Sequence, residues 1–115
     1  MSHTMDIQLE IHDQAALLRA CNRLGLRAEQ GTFKLFSSRE TGTAVYLPNW
    51  QFPVVVKADG NVAADNYNGV WGDEKELNKL VAYYGLEKSK QEAEARGYQV
   101  EEIDEGNEIT LCIQM

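Results

Sequence analysis

Residues 54–67 read VVVKADGNVAADNY, and this stretch decides the fold. Two β-rich runs flank Asp59-Gly60, whose residues tolerate the positive φ angles of tight hairpin turns, so the segment reads as two antiparallel strands joined by a short turn. Moving outward, the chain is punctuated at Gly31, Thr41-Gly42, Pro48-Asn49, Asp59-Gly60 and Asn68-Gly69. Between those breaks, residues 32–37, 43–47, 53–58 and 62–66 are short β-rich runs, which predict an antiparallel meander.

Upstream, Met5, Ile7, Leu9 and Ile11 alternate with Asp6, Gln8, Glu10 and His12, the period-two pattern of a strand with one buried face. Asp13 then stands where a helix N-cap is wanted. Leu17, Ala20, Cys21 and Leu24 recur at helical spacing, and Gly25 supplies the stop. Downstream, Asp73-Glu74-Lys75-Glu76 has the form of a capping box, followed by Leu77, Leu80, Val81 and Tyr84 on one helical face. That helix is expected to run to Gly97, with Gly85 as its natural place to kink. Residues 98–103 and 108–114 are two further strands. The reading is an α+β domain of order β-α-β-β-β-β-α-β-β, with two helices and a mostly antiparallel sheet of about six to seven strands in a two-layer sandwich. One sheet face is expected beneath the helices and the other wet or paired with a second subunit. Phe36, Tyr46 and Val55 would then be exposed and would favour a homodimer.

At 115 residues and 43% hydrophobic composition there is material for one core, so residues 1–115 read as a single domain. No apolar run approaches the roughly twenty residues of a membrane span, and the first residues lack the basic and apolar regions of a signal peptide. A soluble cytoplasmic protein with no membrane partner is expected. The first 58 residues carry six basic and five acidic groups, and the remainder five and thirteen, so the two parts read +1 and −8. Such a surface repels phosphate backbones and excludes nucleic acid as the expected partner.

Candidates for chemistry are few. His3 and His12 are nine residues apart, roughly 30 Å along an extended strand, too far to share a metal within one chain. Cys21 and Cys112 lack CxxC or Cys/His spacing and read as core thiols, with a disulfide between them as the alternative. No phosphate loop, nucleophile elbow or zinc-protease motif is present, so neither a catalytic set, a metal site nor a cofactor is expected. Asp65 and Asp73 read as a turn residue and a helix cap. Both tryptophans lie in turn-rich surroundings, in LPNWQFP at 47–53 and DNYNGVWGD at 65–73. Aromatic residues on loops anchor partners or close the end of a small sheet, and Tyr46, Trp50, Phe52, Tyr67 and Trp71 are expected to cluster.

The opening Met1-Ser2-His3, the LPNWQFPVVV and DNYNGVWGD segments and the helix YYGLEKSKQEAEARGYQV resemble, over nearly the whole chain, the hypothetical chloroplast reading frame thirty-five family. This is a domain of unknown function in plastids, cyanobacteria, other bacteria and phages. The resemblance rests on His3, Asp65, Asn66, Tyr67, Gly72, Tyr84 and Gly97, and it departs at FKLFSSRE, residues 33–40. It implies a fold and no reaction. The expected function is a noncatalytic protein-interaction module or adaptor with binding candidates Trp50, Asp65, Asn66, Tyr67, Trp71 and His3. The alternative is a small-ligand- or metal-binding domain, with weak enzymatic activity, built on Ser2-His3, Asp65 and Tyr67.

Overall fold

The computed structural model describes residues 4–65, 70–104, 106 and 109–114. Among them, the elements follow the order read from the sequence: β1 (Met5–Ile7), α1 (Gln14–Leu24), β2 (Arg27–Lys34), β3 (Arg39–Tyr46), β4 (Val54–Val56), β5 (Val62–Ala64), α2 (Glu74–Ala95), β6 (Gln99–Asp104) and β7 (Ile109–Gln114). The fold is α+β. The first five strands form one antiparallel sheet ordered β1-β5-β4-β3-β2, and β6 and β7 form a separate antiparallel hairpin.

The Asp59-Gly60 turn forms where the sequence places it. Gly60 adopts φ 87°, and its N–H donates to the Lys57 carbonyl at 3.0 Å, while the Lys57 N–H donates to the Asn61 carbonyl at 2.8 Å. Both helix caps form as well. Asp13 Oδ1 accepts from the Ala16 N–H at 3.1 Å, and Asp73 Oδ1 accepts from the Lys75 N–H at 2.9 Å. Helix α1 ends at Gly25 in the left-handed conformation, φ 70°. Helix α2 runs unbroken through Gly85, where a Cβ would meet nothing within 4 Å.

Several strand boundaries differ from the sequence pattern: β3 begins at Arg39, ahead of the expected 43–47 run, and β4 and β5 are shorter than expected. β1 stops at Ile7, although the alternation continues to His12, because Ile7 pairs with Val62 at the start of β5 and there is no further strand to pair with. Leu9 and Ile11 still point inward, and the Ile11 N–H donates to the Gly60 carbonyl at 3.0 Å. β2 begins at Arg27, within a run of Arg, Ala, Glu and Gln whose strand propensity is low. Pairing with β3 overrides that local preference.

The far face of the sheet, expected to be wet or paired, is covered in part from within the chain, by the tip of the β2–β3 hairpin. Gly31 and Gly42, two apparent breaks, lie opposite one another inside the β2–β3 hairpin at φ 155° and 157°. A Cβ on Gly42 would lie 2.2 Å from the Val56 carbonyl oxygen, so only glycine lets the strands approach this closely. Beyond Thr43 the hairpin parts from β4 and its tip folds back over the sheet. Leu35, in the tip, is 1% exposed and packs with Ala44, Val55 and Ala63. The Thr4 N–H donates to Ser37 Oγ at 2.7 Å, so a hairpin rooted at the β2 edge reaches the residue before β1, the opposite edge. Val55, expected at the surface, is therefore buried, Tyr46 is half-buried and Phe36 remains exposed.

The near face carries the larger core. Val45, Val54, Val56 and Val62 meet Leu17 and Cys21 of α1 and Leu77 and Leu80 of α2. Tyr84 of α2 accepts a hydrogen bond at its hydroxyl from the Asp13 N–H at 3.0 Å, and Gln91 Nε2 donates to Asp13 Oδ2 at 2.7 Å. The first turn of α1 is thus fastened to the middle of α2.

The two glycine environments predict opposite responses in urea melts. Gly42→Ala forces a methyl into the Val56 carbonyl and should destabilise the fold by about 3 kcal/mol. Gly85→Ala, on an open helix face, should stabilise it by about 0.5 to 1 kcal/mol. A neutral Gly42→Ala would show that the bend does not depend on backbone contact.

Candidate functional site

Among the described residues, three regions gather polar, charged or exposed aromatic side chains. The first is the end of the sheet where the β2–β3 tip, the loop between β3 and β4, and the segment before α2 converge. The Gln51 N–H donates to the Trp71 carbonyl at 2.8 Å, which locks the two loops together. Phe36, Phe52 and Trp71 then form a mutual cluster, with centroids 5.1 Å apart for Phe36 and Trp71, 5.6 Å for Phe52 and Trp71, and 6.5 Å for Phe36 and Phe52. Their inclined planes match the edge-to-face preference of aromatic quadrupoles. Phe52 and Trp71 are half-buried, but Phe36 is 51% exposed and Val70 is 71% exposed. The result is an apolar patch on a ring foundation.

Trp50 does not join this patch. A turn closed by the Trp50 N–H on the Leu47 carbonyl at 3.2 Å, with Asn49 at φ 61°, leads into Trp50, whose ring joins the helix-side core. Its indole lies on Gly72, where a Cβ would come within 2.2 Å of the ring, and its Nε1 donates to the Asp73 carbonyl at 3.0 Å. Trp50 thereby holds the β3–β4 loop against the start of α2. The aromatic set expected as one cluster is divided between two sides of the sheet. Asp65, directly after β5, is 0% exposed, which removes it from the surface. His3, Asn66 and Tyr67 lie outside the described residues.

The second region is ionic. Arg23, in the last turn of α1, donates to Glu102 of β6 at 2.7 and 2.6 Å and to Glu87 of α2 at 3.2 Å, and its guanidinium lies 5.1 Å from the Tyr83 ring centroid. Lys90 adds a contact of 2.6 Å to Glu102 and 3.8 Å to Glu87. Two cations and two carboxylates neutralise one another. Arg23, with help from Lys90, holds the Glu102 carboxyl down to about 2, and the same bond raises the arginine further above its ordinary range. The cluster is therefore a clamp between both helices and the β6–β7 hairpin.

The third region is a cleft of about 390 Å³ on the helix side of the bent hairpin, lined among others by His12, Gln14, Gln30, Thr41 and Thr43. Part of its polar lining is paired within the chain. Gln14 Nε2 donates to Thr43 Oγ1 at 3.0 Å, and the Thr32 and Thr41 hydroxyls share a 2.8 Å hydrogen bond. Lys57, at its margin, is paired with Asp6 at 2.7 Å and held in its charged form. Elsewhere, burial pushes the Cys21 thiol up, away from the reactive thiolate. Among the described residues no three His, Cys, Asp or Glu side chains are grouped to hold a metal ion, and no helix is long and apolar enough to cross a membrane.

No family model, curated protein or solved structure matches the chain.

Of the residues that build the aromatic patch, Trp71 and Phe52 carry a sequence signal, as loop aromatics. Phe36 reads as one position of a strand, and only the bend that brings the tip over the sheet puts it beside Trp71.

Two measurements separate the structural parts from the surface patch. Trp50→Ala should lower stability by about 3 kcal/mol, and Phe36→Ala by no more than about 1 kcal/mol, in parallel denaturant melts. Because the Glu102 pKa is depressed in the folded chain, its contribution is complete above its ordinary value near 4.5 and is lost as the pH falls towards about 2. The melting temperature of the wild type should therefore drop through that window. In Arg23→Ala the drop should be shallower from a lower starting value, and an identical profile would refute the clamp.

Proposed function

We propose that this chain is a noncatalytic protein-interaction module whose partner docks on Phe36, Phe52, Trp71 and Val70. The observation that carries this reading is the exposed ring of Phe36 standing on two half-buried aromatic rings. Large aromatic side chains fixed by packing lose little entropy on association, which is why such groups dominate binding energy in interfaces. The ionic cluster supports the same reading, since its charges are matched to one another instead of to a substrate. The two cysteines are free, one of them half-exposed, which favours a reducing compartment and a cytoplasmic site of action. The motifs quoted above also favour membership of the hypothetical chloroplast reading frame thirty-five family, which supplies a grouping without a reaction.

The test pairs recognition with stability. Phe36→Ala and Trp71→Ala are introduced singly into the tagged chain, and each is compared with wild type for copurified protein in its native host and for melting temperature. The expected outcome is loss of a stoichiometric partner by Phe36→Ala with its fold intact. Retention of every wild-type partner by both variants would overturn the assignment.

A further inference from the structure

The described strands leave four open sheet edges, and three of them are guarded. β1 is only three residues long and carries Asp6. β2 bears Arg27, Glu29 and Lys34 and is bent at Gly31. β6 bears Glu101, Glu102 and Asp104. Short length, charge and local bending are the devices by which natural sheets avoid pairing edge to edge. β7, with the sequence ITLCIQ at Ile109–Gln114, has none of them. It is six residues long, uncharged and rich in β-branched side chains, and among the described strands it pairs only with β6.

We infer that β7 is a self-association edge, which pairs antiparallel with β7 of a second copy of this chain to make a four-stranded sheet ordered β6-β7-β7-β6. The choice of a second copy follows from the chemistry of the strand. Ile109, Leu111 and Ile113 share one face, and Thr110, Cys112 and Gln114 share the other. A two-fold axis centred on Leu111 sets Ile109 against Ile113 and Thr110 against Cys112. Centred on Cys112, it sets Leu111 against Ile113 and Thr110 against Gln114. Either register matches apolar with apolar and polar with polar, and neither opposes like charges. A charged partner strand would find no counter-charge on this edge. The apolar face is continuous with α2, since Ile109 borders a cavity of about 180 Å³ with Ala82, Tyr83 and Leu86. Ile113 is 43% exposed in the single chain and would be covered on pairing.

Pairing six residues buries less than a standard protein interface, so the association is weak and micromolar. Each chain also carries a net charge of −7, so two copies repel at a distance and added salt should tighten the dimer. This edge is separate from the aromatic patch, so the two assignments can fail independently.

Sedimentation equilibrium of the wild type over a range of concentration and salt should show the 13.0 kDa chain doubling in mass, more readily at high salt. The double variant Thr110→Lys, Cys112→Lys guards the edge with two lysines, one of them across from Glu101, and should raise the dissociation constant roughly tenfold or more. Phe36→Ala should leave the dimer unchanged. Should the lysine variant fail to fold, a short bis-maleimide added to the wild type provides the second measurement. Cys21 is buried and Cys112 is half-exposed, so the reagent should link two chains through Cys112. A wild type that stays monomeric to high micromolar concentration, a dimer indifferent to the lysine pair, a dimer abolished by Phe36→Ala, or no link through Cys112 would each overturn the inference.

Discussion

The close approach of Gly42 to the Val56 carbonyl is the contact on which the rest of the architecture depends. A sheet of five short strands has two faces, and two helices can cover only one. By removing both side chains from the Gly31–Gly42 pair, the chain lets its longest hairpin bend and deliver Leu35 to the uncovered face. The central strand Val54–Val56 is then buried on both sides, as in sheets that lie between two layers. The bend also determines what is displayed, because Phe36 and the Thr4-binding serines follow Leu35 in the same tip.

The near side is held by a different kind of contact. Asp13 caps α1 with one oxygen, accepts from Gln91 with the other, and gives its own N–H to Tyr84. The Ala16 N–H, the largest influence, holds its carboxyl below the usual carboxylate range. At the other end of α1, Arg23 ties Glu87 and Glu102 together. A two-stranded hairpin is marginally stable alone, and β6–β7 gains its stability from these ion pairs and from its contact with α2. The same docking leaves its outer strand facing solvent.

The two tryptophans show how one residue type serves two purposes in one small fold. Trp50 is a fastener, with its ring on a glycine backbone and its N–H on a carbonyl. Trp71 is a support for an exposed phenylalanine. Their sequence surroundings are alike, rich in Asn, Gly and turn formers, and do not separate the roles. What separates them is the side of the sheet to which each loop turns.

By itself the sequence determined the element order, both helix caps, the Asp59-Gly60 turn and the inward faces of the helices, because each of these is a local pattern of period or of turn chemistry. It did not determine β2, whose Arg-Ala-Glu-Gln start has little strand preference of its own, nor the early end of β1, which depends on where a distant partner strand stops. Gly31 and Gly42 read as separate breaks, and only the tertiary structure made them one bend, since what requires glycine there is a carbonyl fourteen residues along the chain from Gly42. The aromatic patch was half legible, through Phe52 and Trp71. Phe36 belongs to it because the folded hairpin crosses the sheet, a long-range contact that no local pattern encodes.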